Sequence, residues 1–161
     1  MKMLLHIILL LAIAISVTGF LSPKSVNEEI VRHLNNARAE YAKRLLIGNM
    51  HELTFNENLL KTAYSIANCD NKKGDFEIVK KSELRKNPKD RTTPKGYHPL
   101  QTRIACVKNL LTCKKYDEPI CLLGPYSNPT DDQIKTGIIG SRCKYGVGEL
   151  RLCKAPPATK A

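Results

Sequence analysis

Six cysteines constrain the fold of this 161-residue chain more than any other feature. They are Cys69, Cys106, Cys113, Cys121, Cys143 and Cys153. An even number of cysteines in an exported chain predicts three disulfides, which stabilise small domains that have a limited core. No two of the cysteines have the spacing of a zinc ribbon, so we expect neither a metal site nor a cofactor.

The N-terminus has the pattern of a secretory signal peptide. Lys2 precedes an apolar run over residues 4–17, and the small Gly19 favours cleavage before Phe20. The run is shorter than the roughly 20 residues that a membrane-spanning helix needs. We therefore predict a signal peptide over residues 1–19, secretion into the extracellular space, and a mature chain that does not span a membrane.

The chain is strongly basic, with a formal net charge of +11. Such a charge favours anionic partners, including glycans, phospholipid headgroups and nucleic acid, although a solvated cationic surface without a specific partner has the same composition. Phe76 and Tyr97 are the only aromatic residues in the basic stretch over residues 72–103 and do not make a stacking platform. We therefore expect no nucleic acid partner, and an anionic surface or a lipid remains possible.

Two amphipathic helices are predicted in the first half of the mature chain. One runs over residues 26–48, with Ser25 as its cap and Gly48 at its end; the second follows a cap at Asn56 and closes at Cys69. Their buried faces recur at helical spacing: Ile30, Leu34, Ala37, Tyr41 and Leu45 in the first, and Leu59, Leu60, Ala63, Ile66 and Ala67 in the second.

The remaining segments are less regular. Residues 70–96 hold many charges and few apolar side chains, which predicts a basic, mobile surface loop with a weak helix or strand around residues 76–79. Apolar runs within residues 100–107 and 118–124 predict two strands. Residues 129–161 show no buried period, so we expect a C-terminal tail closed by its own bridge between Cys143 and Cys153.

Leu34, Asn35 and Arg38 form a Leu-Asn-x-x-Arg motif in the first predicted helix. With two further stretches, this motif resembles the CAP superfamily of secreted proteins, also called the SCP or TAPS domain, and its nematode members in particular, whose opening is His-Asn-x-x-Arg. The stretch NMHELTFNENLLKTAYSIANC resembles the family's second helix with Phe55 in place of tryptophan, and TRIAC followed by ICLLGPYSN resembles its ending with Ala105 in place of glycine. The likeness covers residues 26–128.

The resemblance implies an α+β fold: a small α-β-α sandwich in which two N-terminal helices pack on a short antiparallel sheet, held by disulfides and followed by a cysteine-containing tail. It also implies that Cys106 pairs with Cys121 and Cys69 with Cys113. Typical members have a cavity of two histidines and two acids, and the segments that carry those residues do not appear in this sequence. The chain therefore resembles a shortened member that lacks the cavity.

Catalytic chemistry has weak support in the sequence. Ser65 lies inside a predicted helix without the strand-turn elbow of a hydrolase nucleophile, and an ordinary exposed loop histidine is the simpler interpretation of His98. The combinations considered are Ser65 with His51 and Glu52 for hydrolysis, and His98 with Glu77 or Glu83 as a remnant of a metal site. We expect no enzymatic activity.

Two functions of different classes remain. The first is a secreted, non-catalytic CAP-like binding module that holds a lipid or sterol, a glycan or a protein partner, through a groove between helices or through the basic loop. The second is a cationic defence or venom-like effector that acts on anionic membranes, supported by the positive charge alone.

Overall fold

The structure is a computed structural model that describes residues 22–86, 93–107 and 113–157. The signal peptide predicted over residues 1–19 lies outside these ranges. Within them the regular elements are helices α1 (Pro23–Arg44) and α2 (Glu57–Ala67) and strands β1 (Thr54–Phe55), β2 (Glu77–Lys80), β3 (Arg103–Cys106) and β4 (Ile120–Gly124). Neither described helix is long and apolar enough to cross a membrane.

Helix α1 begins and ends earlier than its sequence pattern predicts. Ser22, not Ser25, is the N-cap, and its side-chain oxygen accepts a hydrogen bond from the backbone N–H of Ser25 at 3.1 Å. Pro23 then occupies the first helical turn, where its missing N–H costs nothing and its fixed φ suits the helix. At the other end the helix stops at Arg44, before Gly48.

Helix α2 follows the prediction closely. The Asn56 side chain accepts from the backbone N–H of Leu59 at 2.9 Å, as an N-cap residue does, and Glu57 lies in the first turn. The apolar residues of the predicted stripe are all buried. The Asn56 cap and the buried face are thus both confirmed.

The sheet has four strands in the order β1-β3-β4-β2. Strands β3 and β4 form within the two predicted apolar runs and pair antiparallel, and β2 pairs antiparallel with the other side of β4. The two-residue strand β1 adds a parallel pair at the β3 edge, so the sheet is mixed and not purely antiparallel. Strand β4 is buried throughout, because the sheet is covered on both faces.

Alternate residues of the two central strands enter two different cores. Ile104 and Leu123 pack with α1, whereas Ala105 and Leu122 pack with α2, as the two-residue period of a strand requires. Helix α1, the sheet and helix α2 therefore form three layers. The predicted small α+β sandwich with helices on both faces of the sheet is confirmed.

Residues 70–96 are more ordered than the predicted mobile loop. They contain β2, in which Glu77 and Val79 are buried, and a 3₁₀ turn at Lys81–Glu83; residues 87–92 lie outside the described part. The weak helix or strand predicted around residues 76–79 is thus a strand, and its signal is weak because β4 supplies most of the buried surface, so alternate residues of β2 suffice.

The C-terminal segment is part of the core and not a separate tail. Ile139 and Leu152 are buried in the same cluster as α1. The backbone of Cys153 pairs with the chain before β1: its N–H donates to Met50 O at 2.7 Å, and its carbonyl accepts from Glu52 N–H at 2.9 Å. No period revealed this in the sequence, because single apolar residues at irregular spacing enter the core from a loop.

Three disulfides hold the sheet, α2 and the C-terminal segment. They join Cys69 to Cys113, Cys106 to Cys121, and Cys143 to Cys153, and they use all six cysteines of the chain. The Cys106–Cys121 bond links paired residues of β3 and β4, while Cys69–Cys113 ties the end of α2 to the segment that precedes β4. Helix α1 carries no cysteine, so packing and hydrogen bonds alone attach it to the sheet.

We expect peptide mapping of the non-reduced protein to recover these three pairs and no others. Cross-linking within the folded chain limits the conformations of the unfolded state, so reduction should lower the free energy of unfolding by about 2–4 kcal/mol per bond. Mass spectrometry of a non-reducing digest identifies the pairs. A peptide that links Cys106 to any residue other than Cys121 would contradict the register of β3 and β4.

We also expect Leu152→Ala to destabilise the protein by about 2–5 kcal/mol, because the substitution leaves a cavity in the core beneath α1. Leu150→Ala is the matched control, since Leu150 is 41% exposed and its loss should change the free energy of unfolding by less than about 0.5 kcal/mol. Denaturant unfolding measures both. Equal small effects would mean that the C-terminal segment is an independent tail.

Candidate functional site

The most buried charged group of the described chain is the guanidinium of Arg38, which is 0% exposed. It donates five hydrogen bonds to backbone carbonyls: two to His51 O at 3.0 and 2.7 Å, and one each to Gly96 O at 2.6 Å, His98 O at 3.1 Å and Gln101 O at 3.1 Å. Burial lowers the pKa of Arg38 to about 9, and nearby Tyr97 opposes the shift. The group therefore stays protonated at neutral pH, and its role is to hold two chain segments against α1.

Side-chain amides make a second set of internal connections. The Asn35 amide donates to Leu53 O at 2.9 Å and its oxygen accepts from Leu53 N–H at 2.8 Å, so it pairs with one backbone residue as a neighbouring strand would. Three other amides also donate one hydrogen bond and accept another from the backbone. Asn27 does so with Cys106, Gln101 with Tyr126, and Asn49 with Gln133 O and Lys135 N–H. These amides are occupied by the chain's own backbone.

The histidines of the sequence analysis bind backbone groups of the described chain. His98 is fully buried, not exposed as expected: its Nδ1 accepts from Leu100 N–H at 3.3 Å, and its Nε2 lies 3.0 Å from Thr130 O. With Nδ1 as acceptor, the proton is on Nε2, and the ring is neutral.

His51 is also committed to the fold. Its Nδ1 lies 3.0 Å from Pro99 O, and burial lowers its pKa below the usual value. No hydrogen bond joins His51 to Ser65, which lies within α2. Glu77, the acid considered with His98, lies 3.0 Å from Lys95 Nζ. The described residues contain no group of three or more histidines, cysteines or acids that could hold a metal ion.

A groove between α1 and the 3₁₀ turn after β2 is the candidate functional site, and we call it the α1 groove. It encloses about 430 Å³, within the range of small-ligand sites. Its lining combines three aliphatic side chains with four polar or cationic ones: Ile30, Leu34 and Leu84, and His33, Lys81, Ser82 and Arg85. The groove therefore presents an apolar wall and positive charge to the same occupant.

The turn that forms one wall is fixed by the core and by the strand connection. Lys81 N–H donates to Pro119 O at 2.8 Å, and the Ser82 hydroxyl donates to a Glu118 carboxylate oxygen at 2.8 Å. Leu84 O accepts from Gly96 N–H at 3.0 Å. Only glycine fits at position 96, because a Cβ there would lie 2.5 Å from Leu84 O.

Arg38 thus supports the groove at a distance. It binds Gly96 O, Gly96 binds Leu84 O, and Leu84 forms part of the apolar wall. On the α1 side, Ile30, His33 and Leu34 recur at helical spacing on one face. His33 Nε2 also lies 3.5 Å from Glu29 Oε1, on the exposed rim. Of residues 81–85, sequence analysis singled out only Glu83, as a partner of His98, because the apolar signal of this segment is one leucine among charges.

Another groove of similar size, about 410 Å³, is less suited to an anionic or apolar ligand. It is lined by Arg32 together with two acids, Glu52 and Glu149. The α1 groove has Lys81 and Arg85 and no acid in its lining. We therefore select the α1 groove on the sign of its charge.

Fold and site together define a small, disulfide-bonded α+β protein with surface grooves and a tightly bonded polar interior. Its structure is similar to the crystal structure of hookworm platelet inhibitor, with a TM-score of 0.50 and 17% sequence identity over 83% of this chain and 92% of that chain. At this identity the likeness shows a shared fold. No family model matches the sequence, and no curated protein matches it.

We expect Arg38→Met to lower the free energy of unfolding by at least about 3 kcal/mol, because four carbonyls would lose a charged donor inside the protein. Arg32→Met, on the same helix, is the control: its side chain is 65% exposed and makes only exposed contacts, with Glu29 at 3.9 Å and His33 at 3.4 Å, so about 0.5 kcal/mol or less should be lost. Urea unfolding compares the two. Similar losses would show that the carbonyls find other donors.

Proposed function

We propose that the protein is a secreted, non-catalytic binding protein of the CAP superfamily, and that the α1 groove holds an amphipathic small molecule with an aliphatic chain and an anionic head. One observation carries this proposal: the groove joins an aliphatic wall to two cations and has no acid in its lining. The likeness to hookworm platelet inhibitor adds that the fold occurs in an inhibitor.

The way the polar interior is used supports a non-catalytic role. Arg38, His51, His98 and Gln101 all bind backbone groups of the chain itself, and a nucleophile or general base needs a side chain that is available to a substrate. All six cysteines are in disulfides, so none offers a thiolate. Both observations favour a binding role at the surface.

Secretion and family membership rest on independent features. Three disulfides are typical of proteins that fold in an oxidising compartment, and the N-terminal sequence has the pattern of a signal peptide. The CAP motif residues have structural roles here: Asn35 and Arg38 bind the segment that leads into β1, and Phe55 packs beside α2. These roles favour the CAP assignment.

The groove chemistry selects among the ligands that the family resemblance leaves open. Ile30, Leu34 and Leu84 offer dispersion contacts and apolar burial to an aliphatic chain, worth about 0.8 kcal/mol per buried methylene. Lys81 and Arg85 attract a carboxylate or phosphate at one side. A neutral sterol or glycan would leave both cations without a partner, so a fatty acid or a lysophospholipid fits better.

We expect the protein to bind the fluorescent fatty acid dansyl-undecanoate. Dodecanoate should displace this probe far better than dodecanol does. Lys81→Gln and Arg85→Gln should each weaken binding about fivefold, since each removes one partly exposed charge pair. Titration of dansyl fluorescence measures the affinity.

Lys80→Gln is the matched control for Lys81→Gln. Lys80 is the preceding residue, but its Nζ lies 2.7 Å from Asp117 Oδ1, away from the groove lining. Its affinity should equal that of the unaltered protein. Equal displacement by dodecanol and dodecanoate, or equal weakening by both lysine substitutions, would overturn the proposed role of the groove cations.

A further inference from the structure

A second surface feature lies at the C-terminal end of α1, away from the groove. Three exposed aliphatic residues and four exposed basic residues gather there, and we call them the helix-end patch. Its members are Lys43, Arg44, Leu45, Leu46, Lys135, Ile138 and Arg142. The patch draws residues from two segments that are about 90 positions apart in the sequence, so folding alone brings them together.

Backbone hydrogen bonds fix the two segments side by side. Gly137 N–H donates to Leu46 O at 2.7 Å, and Gly48 N–H donates to Lys135 O at 2.7 Å. Arg142 N–H donates to Gly48 O at 3.0 Å. Leu45 and Leu46 therefore lie next to the segment that carries Ile138 and the two basic residues beside it.

The aliphatic side chains of the patch are unusually open to solvent. Leu45 is 50%, Leu46 56% and Ile138 66% exposed. Leu46 also has a φ of 53°, in the left-handed region that non-glycine residues seldom adopt. Asparagine or glycine would fit this backbone with less strain, and either would remove an exposed apolar group. The chain keeps a leucine there at a cost in stability, which favours a role at the surface.

The charge of the patch is uniformly positive. Among the described residues, no carboxylate lies within ion-pair distance of Lys43, Lys135 or Arg142, and Arg44 contacts only the ring of Tyr41, at 5.7 Å. The helix dipole accounts for basic residues in the last turn of α1, but Lys135 and Arg142 are not on the helix. The four cations thus form a shared field around the three aliphatic side chains.

We propose that the helix-end patch docks the protein on an anionic phospholipid surface. The aliphatic side chains would enter the interfacial region of the bilayer while the cations contact headgroup phosphates and carboxylates, which is how peripheral proteins combine apolar burial with electrostatic attraction. An acidic protein partner is less suited, because protein hot spots favour tryptophan and tyrosine in close-packed pockets, whereas the members of this patch include no aromatic residue and its aliphatic side chains are open to solvent.

A single-tryptophan variant tests insertion directly, because the chain has no tryptophan. Ile138→Trp should show a blue-shifted emission with vesicles of phosphatidylcholine and about 30% phosphatidylserine, and little change with phosphatidylcholine alone. Tyr64→Trp is the control, because Tyr64 is exposed on α2, outside the patch. The emission of a tryptophan at this position should not shift when vesicles are added. Equal shifts at both positions, or none at Ile138, would overturn the proposal.

Vesicle co-sedimentation then separates the two contributions. Leu45→Ser and Lys135→Gln should each reduce partitioning about fivefold at about 0.1 M salt, and binding of the unaltered protein should fall steeply by about 0.5 M. Leu150→Ser and Lys61→Gln make the same two changes at exposed sites elsewhere and should have no effect. If patch and control variants bind alike, net charge alone drives binding and the patch is not the docking surface.

The groove and the patch are distinguishable by one further comparison. Arg85→Gln alters the α1 groove and should leave vesicle partitioning unchanged, while Leu45→Ser should leave fatty acid affinity unchanged. Matching thermal unfolding midpoints for all variants show that each is folded. If Arg85→Gln loses vesicle binding and Leu45→Ser retains it, the groove is the docking surface and the assignment of the patch is wrong.

Discussion

The buried guanidinium of Arg38 is the interaction on which the irregular parts of this fold depend. A charge placed in a protein interior is costly unless it is hydrogen-bonded, and here five hydrogen bonds to carbonyls stabilise it. Those carbonyls belong to the segment before β1 and to the loop before β3, where His51 makes a single bridge to Cys153 and Lys95–Tyr97 form a 3₁₀ turn. One side chain thus makes bonds to backbone carbonyls that longer helices or strands would otherwise make.

Side-chain amides bind the backbone in the same way as Arg38. Asn27, Asn35, Asn49 and Gln101 each offer one donor and one acceptor to backbone groups of a distant segment, as a residue of a neighbouring strand would. Strand β1 has only two residues, yet the chain around it is held by Asn35 on one side and by the backbone of Cys153 on the other. Polar residues that look like surface residues in the sequence therefore belong to the interior.

This use of polar residues explains where prediction from the sequence succeeds and where it fails. Helix α2 is predicted to the residue at its cap, because Asn56 and an apolar stripe are local signals. Strands β3 and β4, whose alternate residues enter the two cores, are predicted by two apolar runs. The strand at Glu77–Lys80 gives a weak local signal around residues 76–79, whereas the burial of His98 and the packing of Leu152 depend on distant partners and leave no local period. The sequence did not identify the lining of the α1 groove for the same reason. Lys81 and Arg85 have the pattern of solvated charges, and only the structure shows that Leu84 between them is buried.

The α1 groove and the helix-end patch share one helix. Helix α1 carries part of the groove near Ile30 and Leu34 and ends beside the patch at Leu45 and Leu46, a separation of about 15 residues or 20 Å along the helix axis. Both surfaces combine aliphatic side chains with cations. Because the same helix carries part of each surface and the buried Arg38 attaches it to the loop before β3, the fold itself sets the distance between the groove and the patch.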